Sequence, residues 1–190
     1  MIILASQSPR RKEILQEILG DIPFTCIPSS FDERKIHNSD LRKLTLIEAR
    51  GKGEIVSKEH MDDIVISSDT MVYFKGEQLG KPKDRDDALR MLRELSNDTH
   101  EIITAYSIFK GGVELKSNVI VAKLFIEKMA DAEIEAYIDT GSPFDKAGGY
   151  GIQDKDFINS RIVQGDMYTI MGLPKYELED DLYELGIIKE

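Results

Sequence analysis

The unbroken apolar run IILA (residues 2–5) has the pattern of a buried strand. Ser8-Pro9 follows as N-cap and first helical residue, since proline lacks only an N–H that would be unpaired there anyway. Ile14, Leu15, Ile18 and Leu19 recur at helical spacing, and Gly20 suits the stop. The stretch SQSPRRKEIL is thus predicted to be a strand-to-helix turn. A second strand is expected near 23–28, then a polar loop with Asp32 and Glu33. Leu41, Leu44, Ile47, Gly51 and Ile55 mark one face of a helix through about residue 58. IVISSD (64–69) is a β-branched run ending in an acid, and MVYFKGEQLG reads as strand, Lys-Gly turn and strand.

Asp84–Asp87 open another helix, with Ala88, Leu89, Leu92 and Leu95 inward. HEIITAYSIFKGG and VIVAKLFIEKM are predicted to form an antiparallel pair, and ADAEIEAYIDTG a short helix closed by Gly141. Strand-like pieces after the glycine-rich DKAGGYGIQ lead to GLP and an acidic C-terminal helix. Strands and helices mix without strict alternation, which predicts an α/β fold on a mixed sheet.

The length of 190 residues suits a single domain, 1–190, with two lobes around a cleft. Lys and Arg number 25 against 35 Asp and Glu, so the formal charge of -10 disfavours nucleic acid as a partner. A local basic cluster must then serve something small. Apolar runs fall well short of the roughly 20 residues of a bilayer span, and no signal-peptide pattern opens the chain. A soluble, cytoplasmic protein with no membrane role is expected. The lone Cys26, in FTCI, reads as core packing rather than as half of a disulfide or a metal ligand.

Candidate chemistry gathers at a few points. The first N–H groups of a helix lack internal acceptors and carry partial positive charge, so Ser6, Ser8, Arg10 and Arg11 there make a donor set matched to phosphate oxygens; a solvated helix face is the alternative. Successive helical residues point about 100° apart, so one arginine could face a ligand while its neighbour braces the site. SSDT (67–70) puts Asp69 at the end of a predicted central strand, suited to hold a divalent metal or to take a proton, or else to form an ordinary Asx turn. Lys81 in GKPKD and Lys52 in ARGKG are point charges for a phosphate or plain solvated lysines. Gly51 and Gly53 each weaken a helix by about 1 kcal/mol relative to Ala, so a packing or ligand reason is expected. Three glycines in DKAGGYGIQ suit a backbone passing close to a ligand, and the carboxamide of Gln153 can both donate and accept, matching the N3–H and O4 edge of uracil or thymine.

Taken together, LASQSPRR, FDE (31–33), ARGKG, SSDT, GKP, ALRMLRELS followed by His100, DKAGGYGIQ and GLP, in this order and spacing, resemble the Maf family of nucleoside triphosphate pyrophosphatases over essentially the whole chain. The resemblance implies an elongated mixed β-sheet flanked by helices with a deep central cleft, of Maf/ITPase-like type and often homodimeric. It implies hydrolysis of a nucleoside triphosphate to the monophosphate and pyrophosphate with a divalent cation, Mg2+ or Mn2+. By position, Ser6, Arg10, Arg11, Glu33, Lys52, Asp69, Lys81 and Gln153 match the family's site residues, Asp69 being its proton acceptor. Arg10, Thr70 and Gln153 match the branch that prefers dTTP and UTP over 7-methyl-GTP. On this reading Asp69, Lys52, Lys81 and Arg11 are catalytic, Ser6, Ser8, Arg10, Thr70 and Gln153 bind substrate, and Glu33 with Asp69 holds the metal. Modified pyrimidine nucleotides as substrates, and a nucleotide-binding regulator of cell division with little turnover, are the competing readings.

Overall fold

The computed structural model describes residues 1–157 and 159–189. Their strands form a mixed, seven-stranded sheet in the order β2-β1-β3-β5-β6-β7, with β4 paired to β3. The chain divides into two units: Met1–Thr70, Ile103–Ile120 and Tyr168–Glu190 in the first, Met71–Ile102 and Val121–Met167 in the second. The long strands β3 (Ile64–Phe74), β5 (Asp98–Lys110) and β6 (Val113–Ile126) contribute residues to both.

In the first unit β1 (Ile2–Leu4) is parallel to both β2 (Phe24–Cys26) and β3, pairing Ile2 with Phe24 on one side and Ile64 on the other. A parallel neighbour on each edge and helical crossovers leave a strand wet on neither face, which is why β1 is an unbroken apolar run. The crossovers are α1 (Pro9–Leu19) and α2 (Leu41–Glu59). Ser8 caps α1 through its side chain and Gly20 ends it, as the sequence predicts. Ile3, Ala5, Val56, Val65 and Phe109 pack into one core cluster, with Ile27 against it. Cys26, expected in the core, is only half-buried at the edge strand. The C-terminal helices α5 (Met167–Met171) and α6 (Lys175–Glu184) close this unit. Lys175 and Tyr168 both donate to Glu17 of α1, and the buried Tyr106 hydroxyl donates to Asp181 at 2.6 Å.

In the second unit β3 turns at Lys75-Gly76 into β4 (Glu77–Leu79), an antiparallel hairpin. α3 (Arg85–Leu95), capped by Asp84, lies against α4 (Asp131–Asp139), the two joined by a bidentate Arg93–Asp131 pair. Met91 takes an inward place on α3 beside Ala88, Leu92 and Leu95, while Leu89, expected there, is half-buried. β7 (Ser160–Gln164) pairs antiparallel with β6 across a register shift at Lys123/Leu124. No helix among the described residues is long and apolar enough to cross a membrane.

Candidate active site

The site grows from β3. Strand side chains alternate between faces, so the polar run Ser67-Ser68-Asp69-Thr70 presents two residues to each side of the sheet. Asp69 was expected at a strand end; it lies instead well inside one continuous strand, because β-branched and aromatic residues carry the ladder on to Phe74. Ser67 and Asp69 turn toward α2: Ser67 Oγ donates to the Ala49 carbonyl at 2.7 Å, and Asp69 Oδ1 accepts from Lys52 Nζ at 2.5 Å. Ser68 and Thr70 turn toward α1 and the 172 turn. Ser68 Oγ stands 2.8 Å from the carbonyls of Ala105 and Gly172, and Thr70 Oγ1 accepts from Arg11 Nη2 at 3.1 Å.

The two arginines of the α1 start divide their work. Arg11 donates from Nε to the Gly172 carbonyl at 2.8 Å, and from Nη1 to the Ser68 carbonyl at 3.0 Å and to Ser6 Oγ at 3.4 Å. Its guanidinium therefore braces α1 against β3 and the 172 turn. Burial lowers the Arg11 pKa, with the neighbouring Asp69 carboxylate opposing. Gly172 must be glycine: its φ is +105°, and a Cβ would come within 3.1 Å of both Arg11 Nε and Thr70 Oγ1. Among the described residues the Arg10 side chain has no hydrogen-bond or ion-pair partner. Ser6 is buried and accepts from the Ser8 amide at 3.2 Å, so its own proton is free to donate. Lys12 is exposed.

On the α2 side, Lys52 Nζ sits 2.5 Å from both Asp69 Oδ1 and Glu33 Oε1. Glu33 opens a short helical turn (Glu33–Lys35) capped by Asp32, within the stretch that the sequence marks as a polar loop. Burial alone would lower the Lys52 pKa, but the two carboxylates outweigh it and the net direction is up. A third acid, Glu48, completes the group: Glu33, Glu48 and Asp69 each offer an oxygen within 4.8 Å of the others. Glu48 is only 7% exposed, and burial, reinforced by Asp69 and Glu33, pushes its pKa up to about 8. Three converging hard oxygens form a donor set that suits a divalent cation.

Sequence reasoning missed Glu48, because the inward face of α2 is not the one its apolar residues mark. Leu44, Thr45, Glu48, Ala49, Gly53, Val56 and Ser57 are buried, whereas Ile47 is 37% exposed. The buried stripe is polar where it meets Ser67, Asp69 and the Gly112 amide, so hydropathy alone points about a quarter-turn away. The usable signal was the one-turn spacing of Glu48 and Lys52, which puts them on one face. Gly53 lies so close to β3 and β5 that a Cβ would stand 2.5 Å from Ser67 Oγ and 2.8 Å from Phe109, and at Gly51 it would strike the Phe31 ring.

Lys81 and Gln153 belong to the second unit. Lys81 is exposed in the segment after β4, where the Gly80 carbonyl accepts from the Gly148 amide at 3.0 Å and Pro82 packs under Gly149. The GKP and AGGYGIQ segments are thus neighbours within that unit. Gln153 is exposed on a turn of the same loop.

Converging carboxylates bridged by a lysine, beside a helix start rich in cationic and hydroxyl donors on a mixed α/β sheet, define a class by its groups: acids that could hold a divalent cation next to donors suited to an anion. Within that class, the chain belongs to the Maf-like protein family, whose model matches residues 1–185. It is 41% identical over 195 residues to a dTTP/UTP pyrophosphatase of Clostridium botulinum (strain Okra / Type B1), covering 98% of this chain and 97% of that one. It is 38% identical over 173 residues to the dTTP/UTP pyrophosphatase of Halalkalibacterium halodurans, covering 91% and 90%. With the dTTP/UTP pyrophosphatase of Methanosarcina barkeri the identity is 37% over 191 residues, covering 98% and 94%. Among solved structures, the Staphylococcus aureus Ham1 protein overlaps 64% of this chain and 68% of its own at 18% identity and a TM-score of 0.43.

Proposed function

We propose that this protein hydrolyses dTTP and UTP to the nucleoside monophosphate and pyrophosphate. The observation that carries the reading is the Glu33–Glu48–Asp69 group around Lys52, set beside the Arg10/Arg11 helix start in a chain some 40% identical to enzymes of that name. In the reaction, a water oxygen bonds to the α-phosphorus, the α–β bridging oxygen leaves with pyrophosphate, and one proton is released. Phosphoryl transfer depends mainly on positioning and on neutralising charge over the non-bridging oxygens. Arg10, unpartnered among the described residues, and the Ser6 hydroxyl are the donors for phosphate oxygens, with Arg11, Ser8 and Thr70 holding them in place.

The three acids fit Mg2+ or Mn2+, and Glu33, Glu48 and Asp69 would hold it; when bound, such an ion neutralises triphosphate charge and acidifies water. Lys52 keeps positive charge among these acids. Asp69, in contact with Lys52 and next to the Arg11-bound residues, is the proton acceptor or a metal ligand in this scheme. Lys81 is proposed as a further phosphate cation and Gln153 as the residue that reads the pyrimidine edge. The reading also takes the protein as a cytoplasmic homodimer.

The test is pyrophosphate release from UTP, dTTP, CTP, GTP, 7-methyl-GTP and modified pyrimidine triphosphates with Mg2+ or Mn2+. Highest kcat/KM for UTP and dTTP is expected. Faster turnover of a modified pyrimidine would move the physiological substrate there. No pyrophosphate from any nucleotide would overturn the enzymatic reading in favour of a nucleotide-binding regulator.

A further inference from the structure

Gln153 is one of the two middle residues of a turn closed by the Asp154 amide, which donates to the Gly151 carbonyl at 3.0 Å. Both ends of that turn meet at one atom, the phenolic oxygen of Tyr137 on α4. Tyr137 Oη accepts from the Gly151 amide at 3.0 Å and donates to Asp154 Oδ2 at 2.5 Å. Asp154 Oδ2 also accepts from Ser142 Oγ at 2.6 Å, and Ser142 Oγ in turn accepts from Lys146 Nζ at 2.9 Å. The fit around the turn is close: a Cβ on Gly151 would lie 2.8 Å from both carboxylate oxygens of Asp154 and from Lys146 Cε. Tyr137 itself is 1% exposed, on a helix packed against α3, with the Phe157 ring 5.2 Å from its own.

We infer that Tyr137 is the positioning residue for Gln153, fixing where its carboxamide points and thereby setting the discrimination between pyrimidine bases. The physical reason lies in the contrast of exposure. Gln153 is a long, exposed side chain with several rotatable bonds, so its aim is set by the backbone that carries it. A four-residue turn held only by its own hydrogen bond leaves that backbone free to rock. Two further bonds to a rigid, buried phenol remove the freedom. Base discrimination by a carboxamide depends on donor and acceptor both being met, so a small loss of alignment reduces the penalty for the wrong base.

This inference rests on the reading of Gln153 as the base reader, and the experiment separates the two. Tyr137→Phe keeps the buried ring and removes both bonds. We expect the ratio of kcat/KM for UTP over CTP to fall about tenfold, the scale of one lost hydrogen bond. The fall should come through a higher KM for UTP, with kcat nearly unchanged and inhibition by inorganic tripolyphosphate, which has no base, unaltered. Gln153→Glu is measured alongside. A shifted ratio in Gln153→Glu with an unchanged ratio in folded Tyr137→Phe would overturn the role of Tyr137 while leaving Gln153 as reader. An unchanged ratio in both would overturn the reading of Gln153, and the inference with it. Parallel losses in kcat, tripolyphosphate inhibition and Tm would mark Tyr137 as structural only and also overturn it. Asp154→Ala, which removes one end of the clamp and keeps Tyr137, supplies the same readout should Tyr137→Phe fail to fold.

Discussion

Arg11 donates its Nε–H to the carbonyl oxygen of Gly172 at 2.8 Å, tying the first helix to a turn 161 residues further along the chain. The same guanidinium reaches the Ser68 carbonyl and Thr70 Oγ1. A lysine ammonium cannot span these acceptors, since it is a single point charge rather than a planar fork. Arg11→Lys should therefore lower stability by about 2 kcal/mol and reduce turnover together. Arg10→Ala, lacking any such bonds to lose, should leave Tm unchanged and raise the KM for UTP about tenfold. Scanning calorimetry beside steady-state kinetics distinguishes the two; equal Tm losses would contradict this division of labour.

Asp69, like Glu33, touches Lys52, and it lies between two residues bonded to Arg11. Replacement by Asn keeps the size and removes the charge. Turnover of UTP with Mg2+ should fall by at least about 100-fold in a protein with wild-type circular dichroism. Near-normal pyrophosphate release would rule out both of the roles assigned to Asp69.

Glu48 carries a carboxyl group into a nearly dry place beside two other acids. Burial of a carboxylate next to like charge is costly, so Glu48→Gln should raise Tm in metal-free protein. It should also weaken Mn2+ binding about tenfold or more, read by titration calorimetry or electron paramagnetic resonance. Unchanged Mn2+ affinity would remove Glu48 from the metal set.

Gly53 tests packing against propensity. Alanine favours a helix by about 1 kcal/mol over glycine, yet here its methyl would overlap Ser67 Oγ and Phe109. Overpacking costs about 1–3 kcal/mol, and Ser67 cannot move without losing its bonds to Ala49 and Ser107, so Gly53→Ala should lower Tm on balance. A higher Tm would mean that β3 yields at this point.

His100 supplies one pH dependence, on the acid side. It is 2% exposed, its Nε2 lies 2.5 Å from the Tyr150 hydroxyl, and its Nδ1 has no hydrogen-bond partner among the described residues. Burial lowers its pKa from 6.5 to about 4, with Asp98 opposing. As pH falls through 6.5 the unfolded chain takes up a proton that the folded chain accepts only near 4, so stability drops across that interval, by about 3 kcal/mol in all. Above 6.5 the group contributes no pH dependence. Tm curves for the protein and for His100→Gln should converge between pH 6.5 and 4.5, and parallel curves would refute a buried neutral histidine.

Much of this was legible in the residues because the code is local. Ser8, Pro9 and Gly20 bound α1 through backbone groups within a turn of themselves, and an unbroken IILA has the pattern of a strand wet on neither face, which β1 is. Where the residues misled, a distant partner had changed the meaning of a local pattern. The inward face of α2 was misplaced because Thr45, Glu48 and Ser57 are buried against polar groups that sequence does not place beside them. The end of β3 was misplaced because an acid inside a strand looks like its terminus until a lysine from the neighbouring helix is seen to meet it.

By itself, then, the sequence determined the class of fold, the ends of the first helix and the kinds of groups on hand: arginines and hydroxyls at a helix start, acids, lysines and a carboxamide. Short-range backbone hydrogen bonding and hydrophobic period are enough for those. Tertiary structure alone decided which arginine braces and which has no partner among the described residues, that Glu48 joins Glu33 and Asp69, and that one buried phenol holds the turn beneath Gln153. Each of those depends on an ångström-scale meeting of groups far apart in the chain, and such distances are set by the packing of helices on the sheet.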